Sequence, residues 1–160
     1  MKNRGPDYQD WRTFIANDTN VYLLHSRLSI IDLNERSNQP FSFNDFTLVF
    51  NGEIYNYVEV REELKKQGYV FSTDSDTEVL LKAYVEYGED CVQHFNGMWA
   101  FAIWDERNKK LFLSRDRFAE KPLYYFQDND GFYFASEIKA IQSLLQKKLQ
   151  INYDHVLETS

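Results

Sequence analysis

The chain has 160 residues and a mass of 19.1 kDa, the size of one domain able to bury about two-thirds of its unfolded surface. Its 43% hydrophobic and 17% aromatic content excludes a disordered chain, because so much apolar surface does not stay solvated. Eighteen Lys and Arg against 25 Asp and Glu leave a net charge of -7 without a basic run, which excludes binding to nucleic-acid backbones or anionic membranes.

At the N-terminus, Met1 to Asp7 carries no signal-peptide core, and no apolar run approaches the roughly 18 residues that span a bilayer. One cysteine, Cys91, allows no internal disulfide, so the chain reads as soluble and cytoplasmic. Val21 to Ile31 is rich in β-branched and aliphatic residues and predicts a strand. Thr47 to Phe50 predicts a second, running into Asn51-Gly52, which by itself is a tight-turn signal. Asn56 to Gly68 predicts a helix, with Asn56 and Glu59 as a variant capping box and Tyr57, Val60 and Leu64 as its apolar stripe. Ser75 to Gly88 predicts another: Ser75 and Glu78 make the capping box, and Val79, Leu80, Ala83 and Tyr87 line one face.

A short amphipathic turn follows, with Cys91, Val92 and Phe95 inward. Met98 to Trp104 is apolar throughout and predicts a strand covered on both faces. Leu111 to Ser114 returns antiparallel to it. Pro122 to Phe126 and Phe132 to Ala135 make a hairpin around Asp128-Asn129-Asp130-Gly131. Ser136 then starts a helix to Leu145, with Ile138, Ile141, Leu144 and Leu145 inward. Strands that come as hairpins predict an α+β fold of antiparallel sheet with helices packed on it, against a doubly wound nucleotide-binding fold.

No Gly-rich phosphate loop is present, and His25, His94 and His155 show no metal-ligand spacing. Cys91 and His94 are three residues apart, which permits a Cys–His pair. The apolar setting of Cys91 instead predicts an inert core thiol. The remaining polar residues of interest stand where apolar strands end or helices begin: Arg27, Asn51-Gly52-Glu53 and Asp76. An arginine and two acids suit the two charged ends of an amino acid, and an Asn amide beside a Gly N–H suits an oxyanion. The plain alternative is that Arg27 and Asp76 are surface charges, with Asp76 a helix-start acid.

The stretches HSRLSIIDL (25–33), SNQPF (37–41), NGEIYNY (51–57), DSDTEVLL (74–81) and FNGMWAFAIWD (95–105) resemble the class II glutamine amidotransferase domain. RDRFAEKPLYYF (115–126) and FASEIKAI (134–141) extend the likeness. In form it is similar to glutamine-hydrolysing asparagine synthetase, from RGPD (4–7) to about residue 145.

The resemblance implies a four-layer αββα sandwich of the N-terminal-nucleophile type. There an N-terminal Cys attacks the glutamine side-chain amide, and the ammonia released serves an ATP- and Mg-dependent synthetase domain that amidates aspartate. By position, Arg27 matches the holder of the glutamine α-carboxylate, and Leu28, Ser29, Ile30 and Ile31 line the same pocket. Asn51 and Gly52 match the oxyanion pair, and Glu53 and Asp76 the acids that receive the α-ammonium.

Residues 1–148 are expected to form this domain and 149–160 the start of a linker. The synthetase domain or subunit is expected near Ser136 to Ala140, with no cofactor in this chain. The chain departs from the pattern in having no N-terminal Cys strand and helix before RGPD and no synthetase domain. Asn3 stands where His is usual and Ala119 where Gly is usual. The expectation is therefore a domain that binds L-glutamine without hydrolysing it. The unpaired sheet edge favours self-association, a homodimer among the expected assemblies. A non-catalytic remnant that binds glutamine or a partner is the alternative.

Overall fold

The computed structural model describes residues 8–27 and 38–145. The chain divides into two compact units, Met1–Pro122 and Leu123–Ser160.

In the first unit, β1 (Tyr8–Ala16) and β2 (Thr19–Arg27) form an antiparallel hairpin. Asn17, at φ 55°, turns the chain between them. A four-stranded antiparallel sheet follows in the order β3 (Phe41–Phe43), β4 (Phe46–Ile54), β5 (Gly97–Asp105) and β6 (Lys110–Arg115). Helices α1 (Tyr57–Lys66) and α2 (Asp76–Tyr87) and a short 3-10 helix (Gly88–His94) connect β4 to β5.

The period of two along the strands sorts side chains onto two faces. Leu48, Phe50 and Ile54 of β4 join Trp99, Phe101 and Ile103 of β5 in a core against Val60 and Leu64 of α1 and Val79, Leu80 and Ala83 of α2. Each such large side chain contributes roughly 1.5–3 kcal/mol by leaving water. On the opposite face the hairpin covers the sheet: Phe14 lies 6.1 Å from Trp104, ring to ring, and Leu23 is buried. The apolar run of β5 is thus covered on both sides, as its sequence predicts.

The second unit holds the hairpin β7 (Tyr124–Gln127) and β8 (Phe132–Ala135) and helix α3 (Ile138–Leu145). The α+β class of antiparallel sheets flanked by helices is therefore the observed one.

Several local expectations are corrected. Asn51-Gly52 is no turn: β4 runs straight through both residues, because β5 pairs with them from Ala100 to Trp99. The turn comes earlier, at Asn44 with φ 52°, between β3 and β4. The strand from Val21 ends at Arg27 among the described residues, and Leu28 to Ile31 lie outside them.

Asn56 does not cap α1 with its side chain. Its Nδ2 donates to His94 O at 2.9 Å and its Oδ1 accepts from Asn96 N at 2.8 Å, a tertiary use that outcompetes the local one. Ser75 does cap α2, its Oγ accepting from Thr77 N at 3.0 Å, but Glu78 does not complete the box. In α3, Ile141 and Leu145 are buried while Ile138 and Leu144 are exposed. Residues 149–160, expected as a linker, lie outside the described residues.

Candidate functional site

Among the described residues, the distal half of β4 has no neighbouring strand on one side, and that sets the geometry of the site. In an antiparallel pair, alternate residues turn their N–H and C=O toward one neighbour and then the other. Leu48 pairs with Phe41, the first residue of β3, and is the last residue of β4 that β3 reaches. Beyond it, side chains take over the edge. Phe50 N donates to Gln39 Oε1 at 2.5 Å, His25 Nε2 lies 3.1 Å from Phe50 O, and Ile54 N donates to Asp76 Oδ2 at 3.1 Å.

Gly52 stands between Phe50 and Ile54 in this alternation. Trp99, opposite it, uses its own backbone on Asp116, donating to Oδ2 at 3.3 Å and accepting from Asp116 N at 2.8 Å. The Gly52 amide therefore turns to the edge that β3 has left. No side chain fits at this residue, since a Cβ would lie 2.2 Å from Met98 O. Asn51 and Glu53 flank it, two residues apart on the sheet face away from α1 and α2. Asn51 is exposed and Glu53 half-buried.

Asp76 opens α2 and reaches back to this edge. Burial, first, pushes its carboxyl above the ordinary carboxylate range, and the nearby negative charge of Glu53 pushes the same way. The amides of Ile54 and Thr77 oppose them without prevailing. The charge of Glu53 thus adds to burial in disfavouring that of Asp76, a situation a bound cation relieves. The plain reading of Asp76 as a surface charge does not hold, because it is 5% exposed.

Arg27 ends β2 opposite Tyr8, two residues beyond His25. Its side chain and Leu28, Ser29, Ile30 and Ile31 lie outside the described residues. The structure sets Asn51, Gly52 and Glu53 in a row on β4, places the Asp76 carboxylate on Ile54 N at the end of that row, and ends β2, the strand that lies against β4, at the backbone of Arg27.

Cys91 belongs to the core. It is fully buried in the cluster with Leu80 and Leu81, and burial pushes its thiol up to about 12. His94 stacks its ring on Tyr87 at 4.1 Å and 9°. A Cys–His pair is not what the fold builds.

Among the described residues, no group of three or more His, Cys, Asp or Glu side chains is arranged to hold a metal ion, and no helix is long and apolar enough to cross a membrane. A shallow surface depression runs along residues 68–74, and none of the predicted site residues lines it.

Sequence reasoning missed Gln39 and His25, which finish the edge of β4, and the whole of β1. The signal for β1 was weak: both faces of its strand mix polar and apolar residues, and only the Asn17-Asp18 turn marks it. Nothing local marks Gln39, whose partner is 11 residues away.

The site is thus an antiparallel sheet edge that carries an outward glycine amide, with Glu53 and Asp76 near it. The chain belongs to the glutamine amidotransferase domain family, whose pattern it matches over residues 1–159.

It is 43% identical over 176 residues to a putative glutamine-hydrolysing asparagine synthetase 2 of Methanocaldococcus jannaschii, covering 98% of this chain and 33% of that protein. It is 47% identical over 152 residues to glutamine-hydrolysing asparagine synthetase 1 of Bacillus subtilis, covering 94% of this chain and 23% of that protein. Among solved structures, glutamine phosphoribosylpyrophosphate amidotransferase from B. subtilis, complexed with ADP and GMP, superposes with a TM-score of 0.65. It is 26% identical and covers 76% of this chain and 28% of that one. The chain thus spans a quarter to a third of the curated relatives named here.

Proposed function

We propose that this chain is the glutaminase domain of a glutamine-dependent asparagine synthetase and that its own residues bind L-glutamine. The observation that carries this reading is Asp76, a buried carboxylate beside Glu53 on the edge where the Gly52 amide is turned outward.

Two acids whose charges repel accept an α-ammonium with a gain that neither would show alone. The guanidinium of Arg27 suits the α-carboxylate as a planar two-pronged donor. The Asn51 amide and the Gly52 N–H then face the side-chain carbonyl. They stabilise the negative oxygen that forms when that carbonyl is attacked. Such donors act on the transition state more than on the bound substrate, so they hasten the reaction without tightening the ground state.

The nucleophile is not among these groups. Cys91 is the chain's sole cysteine, and a thiol sealed in the core at about 12 attacks nothing. The chain as it stands binds glutamine and leaves it intact. In the longer relatives we assign the ATP- and Mg-dependent amidation of aspartate to the remaining length. We place the contact with that synthetase part near Ser136 to Ala140, where Ile138 is exposed at the start of α3.

Calorimetry of the purified chain with L-glutamine, beside an ammonia-release assay, tests the reading. Saturable heat with glutamine, none with D-glutamine, and ammonia at the background rate are expected. An absence of binding overturns it, as does glutamine turnover that disappears in Cys91→Ser.

A further inference from the structure

The segment joining α1 to α2 is held by side chains, and the hold ends at Asp76. Glu78 is 1% exposed, and its carboxylate collects five donors. Ser72 N donates to it at 3.0 Å, Ser72 Oγ at 3.1 Å, and Thr73 N and Thr73 Oγ1 both at 2.7 Å. Lys82 Nζ, one turn on, donates at 2.6 Å.

From there the bonds run on without a break. Thr73 Oγ1 also accepts from Ser75 N at 3.3 Å. Ser75 Oγ donates to Asp76 Oδ1 at 3.5 Å, and Asp76 Oδ2 accepts from Ile54 N at 3.1 Å. From α1, Arg61 Nη2 donates to Ser75 O at 3.2 Å and steadies the same residue.

We propose that Glu78 is a positioning residue for the amino-acid head site: through Thr73 and Ser75 it fixes the Asp76 carboxylate against the edge of β4, where the ammonium is received. The assignment of an ammonium to Asp76 rests on the glutamine reading above; the mechanical coupling does not.

The physical reason is that a charged carboxylate gains by leaving such a site for water. Asp76 is the first residue of its helix, where the backbone is least constrained by helical bonds. It stays on Ile54 because the backbone just before it is clamped from below. Glu78 serves this better than a longer-range contact because it is rooted in the same first turn of α2. Any movement of that turn relative to residues 72–75 has to break bonds to a buried charge.

Glu78→Gln strands the buried Lys82 ammonium and is expected not to fold well, so Thr73→Val carries the test. It removes one link of the chain and leaves the Glu78–Lys82 pair in place. Thr73→Ser restores the hydroxyl. Val60→Ala, a core change in α1 chosen to match Thr73→Val in melting temperature, is the control.

NMR reads the Ile54 amide shift against the titration of the Asp76 side-chain carbon, and calorimetry reads glutamine affinity. In the parent, Thr73→Ser and Val60→Ala the Ile54 amide follows Asp76 through its titration. In Thr73→Val it no longer does, and glutamine binds about tenfold more weakly, the worth of one hydrogen bond to a charged group. If Thr73→Val loses stability like Val60→Ala yet keeps both the Ile54 coupling and the affinity, the positioning role is overturned. A parent chain that shows the Ile54 coupling, loses it in Thr73→Val, and binds no glutamine overturns the glutamine reading and supports the positioning role.

Discussion

Asp76 and Glu78 sit two residues apart on the first turn of α2, both buried, and the fold treats them in opposite ways. Glu78 is saturated. Burial alone would raise it, but the bonds from Lys82, Ser72 and Thr73 outweigh burial and hold it near 2. Asp76 has the amides of Ile54 and Thr77, the Ser75 hydroxyl at 3.5 Å and a second acid nearby, and burial wins.

Asp116 repeats the first pattern. It takes the amides of Trp99, Phe118, Glu120 and Lys121, and its carboxyl lies below the ordinary range although burial opposes this. On the glutamine reading proposed above, the difference separates work done for the fold from work left for a ligand. A carboxylate whose donors outweigh its burial stabilises its surroundings, while one whose donors do not is the better receptor for a cation.

The largest expected effect comes from breaking the saturated side. Glu78→Gln leaves the Lys82 ammonium without its counter-charge between the rings of Phe43 and Phe71, each 4.6 Å away. The cost is about 3–5 kcal/mol, a fall of roughly 10 °C or more in melting temperature. Because the folded value is near 2 and the ordinary one 4.5, the parent holds this contribution in full above pH 4.5 and loses it as pH falls toward 2. Acid titration of stability in parent and variant should differ in that window. Matching curves would place the acid sensitivity elsewhere.

Gly52→Ala strikes the open edge next. Its Cβ meets the Met98 carbonyl oxygen at 2.2 Å, so β4 and β5 have to part locally. A loss of about 1–3 kcal/mol is expected, together with loss of glutamine binding. Chemical denaturation and calorimetry read the two.

Ala119→Gly tests the Asp116 turn from the other direction. Ala119 sits at φ 58°, a left-handed conformation that suits glycine and strains alanine. The substitution should gain about 0.5–1 kcal/mol after the greater freedom of glycine in the unfolded chain is counted. A loss of stability would show that the turn tolerates the methyl without strain. Alanine at this position departs from the usual glycine of the family motif, and the backbone supplies the reason for that glycine.

The smallest effect on stability, and the sharpest for the comparison, is Asp76→Asn. The raised carboxyl means that the parent is favoured at low pH and loses stability as pH rises from the ordinary value, 3.8, through the folded one. Asn keeps an acceptor for Ile54 N and removes the charge. Melting at neutral pH should be unchanged or higher, that decline with pH should vanish, and glutamine binding should fall at least tenfold. A variant that melts far lower would make Asp76 a structural acid like its neighbour.

Much of the fold was legible along the chain because it is written in short-range patterns. The apolar run from Met98 to Trp104 marked a strand covered twice, and Ser75 marked the start of α2. Asp128 to Gly131 marked a hairpin turn. Legibility failed where a residue's partner is distant. Asn56 carries the local signature of a cap, yet 38 to 40 residues separate it from the backbone that it binds. Ile138 and Leu144 fit an inward helical stripe by period and are exposed.

The sequence alone determined which residue types the chain offers and in what order: the family motifs, the single cysteine, the acids and the Asn-Gly pair. Tertiary structure decided what those residues do. Asn-Gly reads as a turn in isolation and becomes a strand interior because β5 pairs with it. Asp76 and Glu78 are the same kind of group in the sequence. Glu78 is held below the ordinary carboxylate range and Asp76 pushed above it, because donors come from loops and strands that only folding brings near.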